Sequence, residues 1–130
     1  MTRRSRIRRR APRPRAAGRS GEDAAASWLA AHGFHILARN LRTRVAEIDI
    51  LARSGAVLVA VEVKTRSCHA APELTVTARQ LQRQQAALRA LASTQVPRPQ
   101  RLRVDVVAVR TPPADTGEVR HFKGSEFAPA

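Results

Sequence analysis

A chain of 130 residues has room for one compact domain around one hydrophobic core, which excludes a multidomain machine and leads to the expectation of a single active centre. Hydrophobic residues make up 43% of it, yet only Trp28 and three Phe supply large aromatic surface, so aliphatic packing must dominate and a sheet covered by helices is favoured. The formal net charge is +14, and nine of the arginines but no acid fall within residues 1–19, so a polyanion attracted by counterion release is the favoured partner. An anionic membrane ranks lower, because Pro12, Pro14 and small residues interrupt the arginines and leave no apolar face to insert.

Cys68 is the only cysteine, which excludes an intramolecular disulfide and a thiolate metal cluster and fits a reducing compartment. No run approaches the roughly 18 apolar residues of a spanning helix, and the Arg-rich start lacks the apolar stretch of a secretory signal. The expected location is the cytoplasm, with an organellar transit peptide as the alternative reading of that start.

In chain order, residues 1–19 show no hydrophobic periodicity and are expected to form a disordered Arg-rich tail, with the folded domain over residues 20–130. Ser20 and Asp23 resemble a capping pair, and Ala25, Trp28, Leu29 and His32 recur at helical spacing before Gly33, predicting a first helix over about residues 21–32. Residues 34–37 form a short apolar run. Beyond the Arg-rich residues 39–44, two β-rich runs at 45–52 and 57–63 flank Arg53-Ser54-Gly55-Ala56, a hairpin signal. From Thr77 to about Ala92 the composition turns to Gln, Arg, Ala and Leu, with Thr77 and Gln80 as a capping box, predicting a second helix. Val96-Pro97-Arg98-Pro99 breaks the chain, residues 102–109 read as another strand, and residues 111–130 read mostly as loop. The order αβββαβ indicates a mixed α/β domain.

If Ser54 and Gly55 are the two turn residues, Asp49 opposes Ala60 and Glu47 opposes Glu62. Alternation then gives one face Ala46, Ile48, Ile50 and Ala52 beside Val57, Val59, Val61 and Val63. The other face carries Val45, Glu47, Asp49 and Leu51 beside Leu58, Ala60, Glu62 and Lys64. Opposed carboxylates need a cation; Lys64 supplies one, and hard oxygen donors favour Mg²⁺ or Mn²⁺ over zinc. The plain alternative is the solvated side of a half-exposed sheet held by surface ion pairs. Against it stands the succession of a Glu-x-Asp strand, a turn and a Glu-x-Lys strand with a valine-rich opposite face. Glu22, near the start of the first helix, reads from the residues alone as an acid offsetting the positive end of the helix dipole.

The ordered landmarks Gly21-Glu22, Gly33, Asn40-Leu41-Arg42, Glu47-Ile48-Asp49-Ile50, Val61-Glu62-Val63-Lys64-Thr65-Arg66, Val76-Thr77 and Arg103-Val104-Asp105-Val106-Val107 resemble one family. It is the YraN-like family of predicted endonucleases, of the restriction-endonuclease-like PD-(D/E)XK superfamily and similar to archaeal Holliday-junction resolvases. The resemblance implies a restriction-endonuclease-like mixed sheet flanked by helices. It implies that Asp49 and Glu62 bind the metal with the backbone carbonyl of Val63, that Lys64 is the superfamily's lysine, and that Glu22 is an additional catalytic acid. The family's usual Gly before Glu-Ile-Asp is Ala46 here, which would be strained at positive φ, and a family basic residue in the second helix is replaced by Gln80.

Arg42, Arg44, Arg66, Arg79 and Gln80 are the candidate nucleic-acid contacts. The four His show no pair at metal-ligand spacing and read as satisfied or solvent-facing, and Cys68 as structural. The expected function is a metal-dependent DNA endonuclease, resolvase-like, hydrolysing phosphodiesters by metal-activated water with Mg²⁺ or Mn²⁺ as cofactor. Its expected partner is DNA, including branched DNA, and not a membrane; a homodimer is expected by analogy, since two opposed strands are cut symmetrically. The alternative from another class is a non-catalytic nucleic-acid-binding accessory protein that retains the fold and draws its affinity from the Arg tail. A ribosome-associated basic protein would leave the clustered carboxylates unexplained.

Overall fold

The computed structural model describes residues 8–9, 17–66, 76–110 and 118–130. In chain order the elements are β1 (Arg8–Arg9), α1 (Ala17–Ala31), β2 (His35–Arg42), β3 (Glu47–Ser54), β4 (Val57–Arg66), α2 (Ala78–Ala92), β5 (Arg101–Arg110) and β6 (Val119–Phe122). They build a single mixed sheet in the order β1-β2-β3-β4-β5-β6, five full strands and the two-residue β1. Only β4 and β5 run parallel. A tight turn cannot join parallel neighbours, so the chain crosses over through α2.

The sheet is covered on both faces. Ala25 and Leu29 of α1 pack with Ile50, Ala52, Val59 and Val61, whereas Ala87, Leu88, Leu91 and Ala92 of α2 pack with Leu51, Leu58, Ala60, Leu102 and Val104. The unbroken buried runs Leu58–Val61 and Leu102–Val109 follow from this, because both alternating sets of side chains leave water. Each large aliphatic side chain so buried contributes about 1.5–3 kcal/mol relative to exposure. The sheet covered by helices that the composition favoured is what forms, and the alternative of a half-exposed hairpin does not hold. No helix among the described residues is long and apolar enough to cross a membrane.

Helix α2 matches its sequence reading: Thr77 is the N-cap and exchanges capping-box bonds with Gln80. Several boundaries differ from expectation. Helix α1 begins at Ala17, so Ser20 lies inside it rather than at its cap, and Asp23 is ion-paired with Arg39 at 2.6 Å. Strand β2 runs through the Arg-rich stretch to Arg42, where pairing with β3 supplies hydrogen bonds that local composition does not advertise. Residues 118–130, read as loop, contain β6 and a bridge between Leu102 and Phe127. Apart from Arg8–Arg9 and the first residues of α1, the expected tail lies outside the described residues, as do Cys68 and His69.

The hairpin register also differs. Ser54 pairs with Val57 and Leu51 with Ala60, so the turn residues are Gly55 and Ala56, with Gly55 at φ 59°. The register has moved by two positions from expectation, and an even shift leaves most residues on their expected face. Ile48 is the exception. It packs on the α2 side with Leu51, while Ile50 packs on the α1 side. Alternation therefore breaks at Asp49, and the partner strand explains why: Arg39 pairs with Ile50 and Leu41 with Ile48, and Asn40 between them has φ 52°. Among the described residues Asn40 is the non-glycine at positive φ, and the strain expected at Ala46 is not there.

Candidate functional site

The β3–β4 ladder runs from Ser54–Val57 as far as Ile50–Val61. Continued by one step, that register would pair Asp49 with Glu62. Instead the Val63 backbone N–H donates to Asp49 Oδ2 at 2.9 Å, a side chain standing where a strand-to-strand bond would be. At this opening lies a cleft of about 420 Å³ lined by Glu22, Val45, Ala46, Glu47, Asp49, Glu62, Val63, Thr65, Gln80, Arg83 and Gln84. It thus draws residues from α1, from α2 and from the two strands between them.

Each element delivers its residue for a local reason. Glu22 sits beyond the first turn of α1, which removes the helix-dipole reading, and it is 3% exposed. It reaches the cleft because α1 approaches β4 closely at Gly21: a Cβ there would lie 2.1 Å from the Thr65 methyl. Asp49 is aimed by the break in alternation opposite Asn40. The turn into β3 is locked by Thr43, whose Oγ1 accepts from the N–H groups of Val45 and Ala46 and donates to Ala46 O, setting Val45 and Ala46 at the rim.

Glu62 is held from two sides. Gln84 Nε2 donates to its Oε1 at 3.1 Å, and Lys64 Nζ stands 3.8 Å from its Oε2, with both side chains of that ion pair about one-fifth exposed. Of the expected catalytic set, then, Glu22, Asp49 and Glu62 line one cleft, and Lys64 joins it through Glu62. Val63, the expected backbone ligand, lines the cleft as well. Glu47 lies at the rim in an ion pair with Arg42 at 3.0 Å rather than opposing Glu62.

The expected nucleic-acid contacts divide. Arg42 and Arg44 are exposed at the rim and Arg79 is exposed on α2, while the side chain of Arg66 lies outside the described residues. Gln80 lines the cleft, but its Oε1 accepts the Thr77 N–H as part of the helix cap. Arg83, one turn further along α2, lines the cleft too. The sequence reading missed Gln84 and the turn at Thr43; the first was visible as a polar residue in the apolar stripe of α2. The expectation for His121 of a satisfied ring is met: its Nε2 lies 2.7 Å from Asp105 Oδ2, in a cluster with Arg103 away from the cleft-lining residues. His32 stacks on Trp28 and His35 is exposed on β2.

The donor set can be tested against the implied metal. Among the described residues there is no cage of three or more His, Cys, Asp or Glu side chains, so a closed site of the zinc type does not fit. The carboxylates of Asp49 and Glu62 lining one open, polar cleft do fit Mg²⁺ or Mn²⁺, since Mg²⁺ is usually held by one or two carboxylates and keeps several of its waters.

Residues 21–109 match the model of the uncharacterised protein family UPF0102. The chain is 39% identical to a UPF0102 protein of Leifsonia xyli, covering 82% of this chain and 92% of that protein. It is 47% identical to one from Syntrophotalea carbinolica, over 83% and 89% of the two chains. With one from Symbiobacterium thermophilum it shares 45% identity over 82% and 90%. The matched region begins at the glycine that seats α1 and spans the cleft, and the chain belongs to the UPF0102 family.

Proposed function

We propose that this protein is a metal-dependent DNA endonuclease of restriction-endonuclease-like architecture, hydrolysing phosphodiesters in the cleft between α1 and α2. The observation that carries the reading is the convergence of Glu22, Asp49 and Glu62 where the β3–β4 ladder opens, with Lys64 paired to Glu62. Glu22 shares the cleft with Asp49 and Glu62, and a surface ion-pair network does not account for a helix acid at 3% exposure.

Asp49 and Glu62 would hold Mg²⁺ or Mn²⁺, which when bound lowers the pKa of water and neutralises charge on the leaving oxygen. The chain's own groups do the rest. Asp49 is oriented by the Val63 N–H, and Lys64 fixes Glu62 while bringing a positive charge beside the developing negative one. Arg83 in the cleft and Arg42, Arg44 and Arg79 around it suit phosphate contacts that set the register of the strand without reading bases. DNA is the proposed partner, branched forms included, and a cytoplasmic homodimer is the proposed working form.

The test is cleavage of linear, flapped and four-way DNA in Mg²⁺ or Mn²⁺, with Asp49→Asn as control. Asn keeps an oxygen to accept the Val63 N–H, so the fold is expected to survive while the rate falls roughly 100-fold or more. Tight binding with no cut on any of the three substrates would sink the endonuclease in favour of an accessory nucleic-acid-binding protein.

A further inference from the structure

The residues of α2 that face the sheet are Gln84, Ala87, Leu88, Leu91 and Ala92, a helical stripe whose first member is an amide. Gln84 is 5% exposed. A buried primary amide costs stability unless bonded, and an apolar residue would extend the stripe, so its place there calls for a reason outside packing. The bonds supply one. Nε2 donates to Glu62 Oε1 at 3.1 Å and lies 3.5 Å from Glu47 O, spanning β3 and β4 where their own ladder has ended. Its Oε1 is buried and has no hydrogen-bond partner among the described residues, although Gln84 lines the cleft.

We infer that Gln84 is a positioning residue of the site, fixing the Glu62 carboxylate from helix α2 and keeping the opening between β3 and β4 at the width at which Asp49 and Glu62 act together. The inference rests on the reading of Glu62 as a metal ligand. Lys64 alone does not replace the tie, since at 3.8 Å it attracts Glu62 Oε2 without the direction a hydrogen bond imposes.

The test compares wild type with Gln84→Leu. Leu completes the apolar stripe, which offsets much of the cost of the donor that Glu62 loses, so thermal unfolding is expected within a few degrees of wild type, whereas a packing role for the amide predicts a large drop. Affinity for Mn²⁺ alone, measured by calorimetry, is expected to weaken about 10- to 100-fold, the usual effect of removing a hydrogen bond from a metal-ligating carboxylate. On DNA the loss should fall on kcat with KM unchanged. Wild-type Mn²⁺ affinity and kcat in Gln84→Leu, or loss of function together with a large loss of stability, would overturn the inference and leave the endonuclease standing. A wild-type protein that neither binds Mn²⁺ nor cuts DNA would overturn both.

Discussion

Asp105 is fully buried in β5, where Arg103 grips its two oxygens at 2.8 and 3.0 Å, the His121 ring stands at 2.7 Å and the Gly124 N–H donates at 3.0 Å. The cluster fastens the C-terminal segment to the sheet. Gly124 fits because a Cβ there would lie 2.1 Å from Val104 O, a backbone atom that cannot swing away. Asp105→Ala would leave the Arg103 guanidinium, 7% exposed, without its main counter-charge. The expected cost is about 3–5 kcal/mol, read from the denaturant midpoint. Asp105 entered the sequence reading only within the Arg103–Val107 landmark, and its partners His121 and Gly124 lie in residues that read as loop. A buried carboxylate chooses partners by proximity in space, which no local pattern records.

At the scale of elements, α2 was legible because its cap is local chemistry: Thr77 and Gln80 satisfy one another within a single turn. Helix α1 was less so. Its start and seat depend on how closely it lies against β4, and the decisive contact is Gly21 against Thr65. Gly21→Ala is expected to push the helix off the strand, lowering stability by about 1–3 kcal/mol in thermal unfolding and displacing Glu22. Adding Thr65→Ser removes the methyl group in the way and should restore part of the loss; failure to do so would place the strain elsewhere. In the hairpin, the two-position register error did no harm to the grouping of Asp49, Glu62 and Lys64, since only an odd shift exchanges faces. What alternation could not anticipate was Asn40 at φ 52°, which turns Ile48 and Ile50 to opposite sides and frees Asp49 to face the cleft.

Over the whole molecule, charge and chemistry are separated along the chain. The acids that line the cleft, Glu22, Glu47, Asp49 and Glu62, fall within and after α1, while the densest positive charge precedes it, where Arg8 and Arg9 pair with Arg42 and Leu41. Removing residues 1–19 outright would cut into α1, which starts at Ala17. Replacing Arg3, Arg4, Arg6, Arg10, Arg13 and Arg15 by Gln avoids that. The expected outcome is weaker DNA binding and a shallower salt dependence, by a slope of about 0.9 for each phosphate that is no longer neutralised, with Mn²⁺ affinity unchanged. A parallel fall in Mn²⁺ affinity would contradict the separation.

Local sequence was enough for the α/β class, the second helix with its cap, and the residue types that share the hairpin's polar face, because propensity, capping and period-two alternation act over a few residues. Long-range packing decided the rest: that both faces of the sheet are covered, that β6 exists, that the ladder opens at Asp49, and that Glu22 and Gln84 arrive from opposite layers. Those depend on contacts between residues far apart in the chain, whose cost in chain entropy is offset only when the whole core assembles.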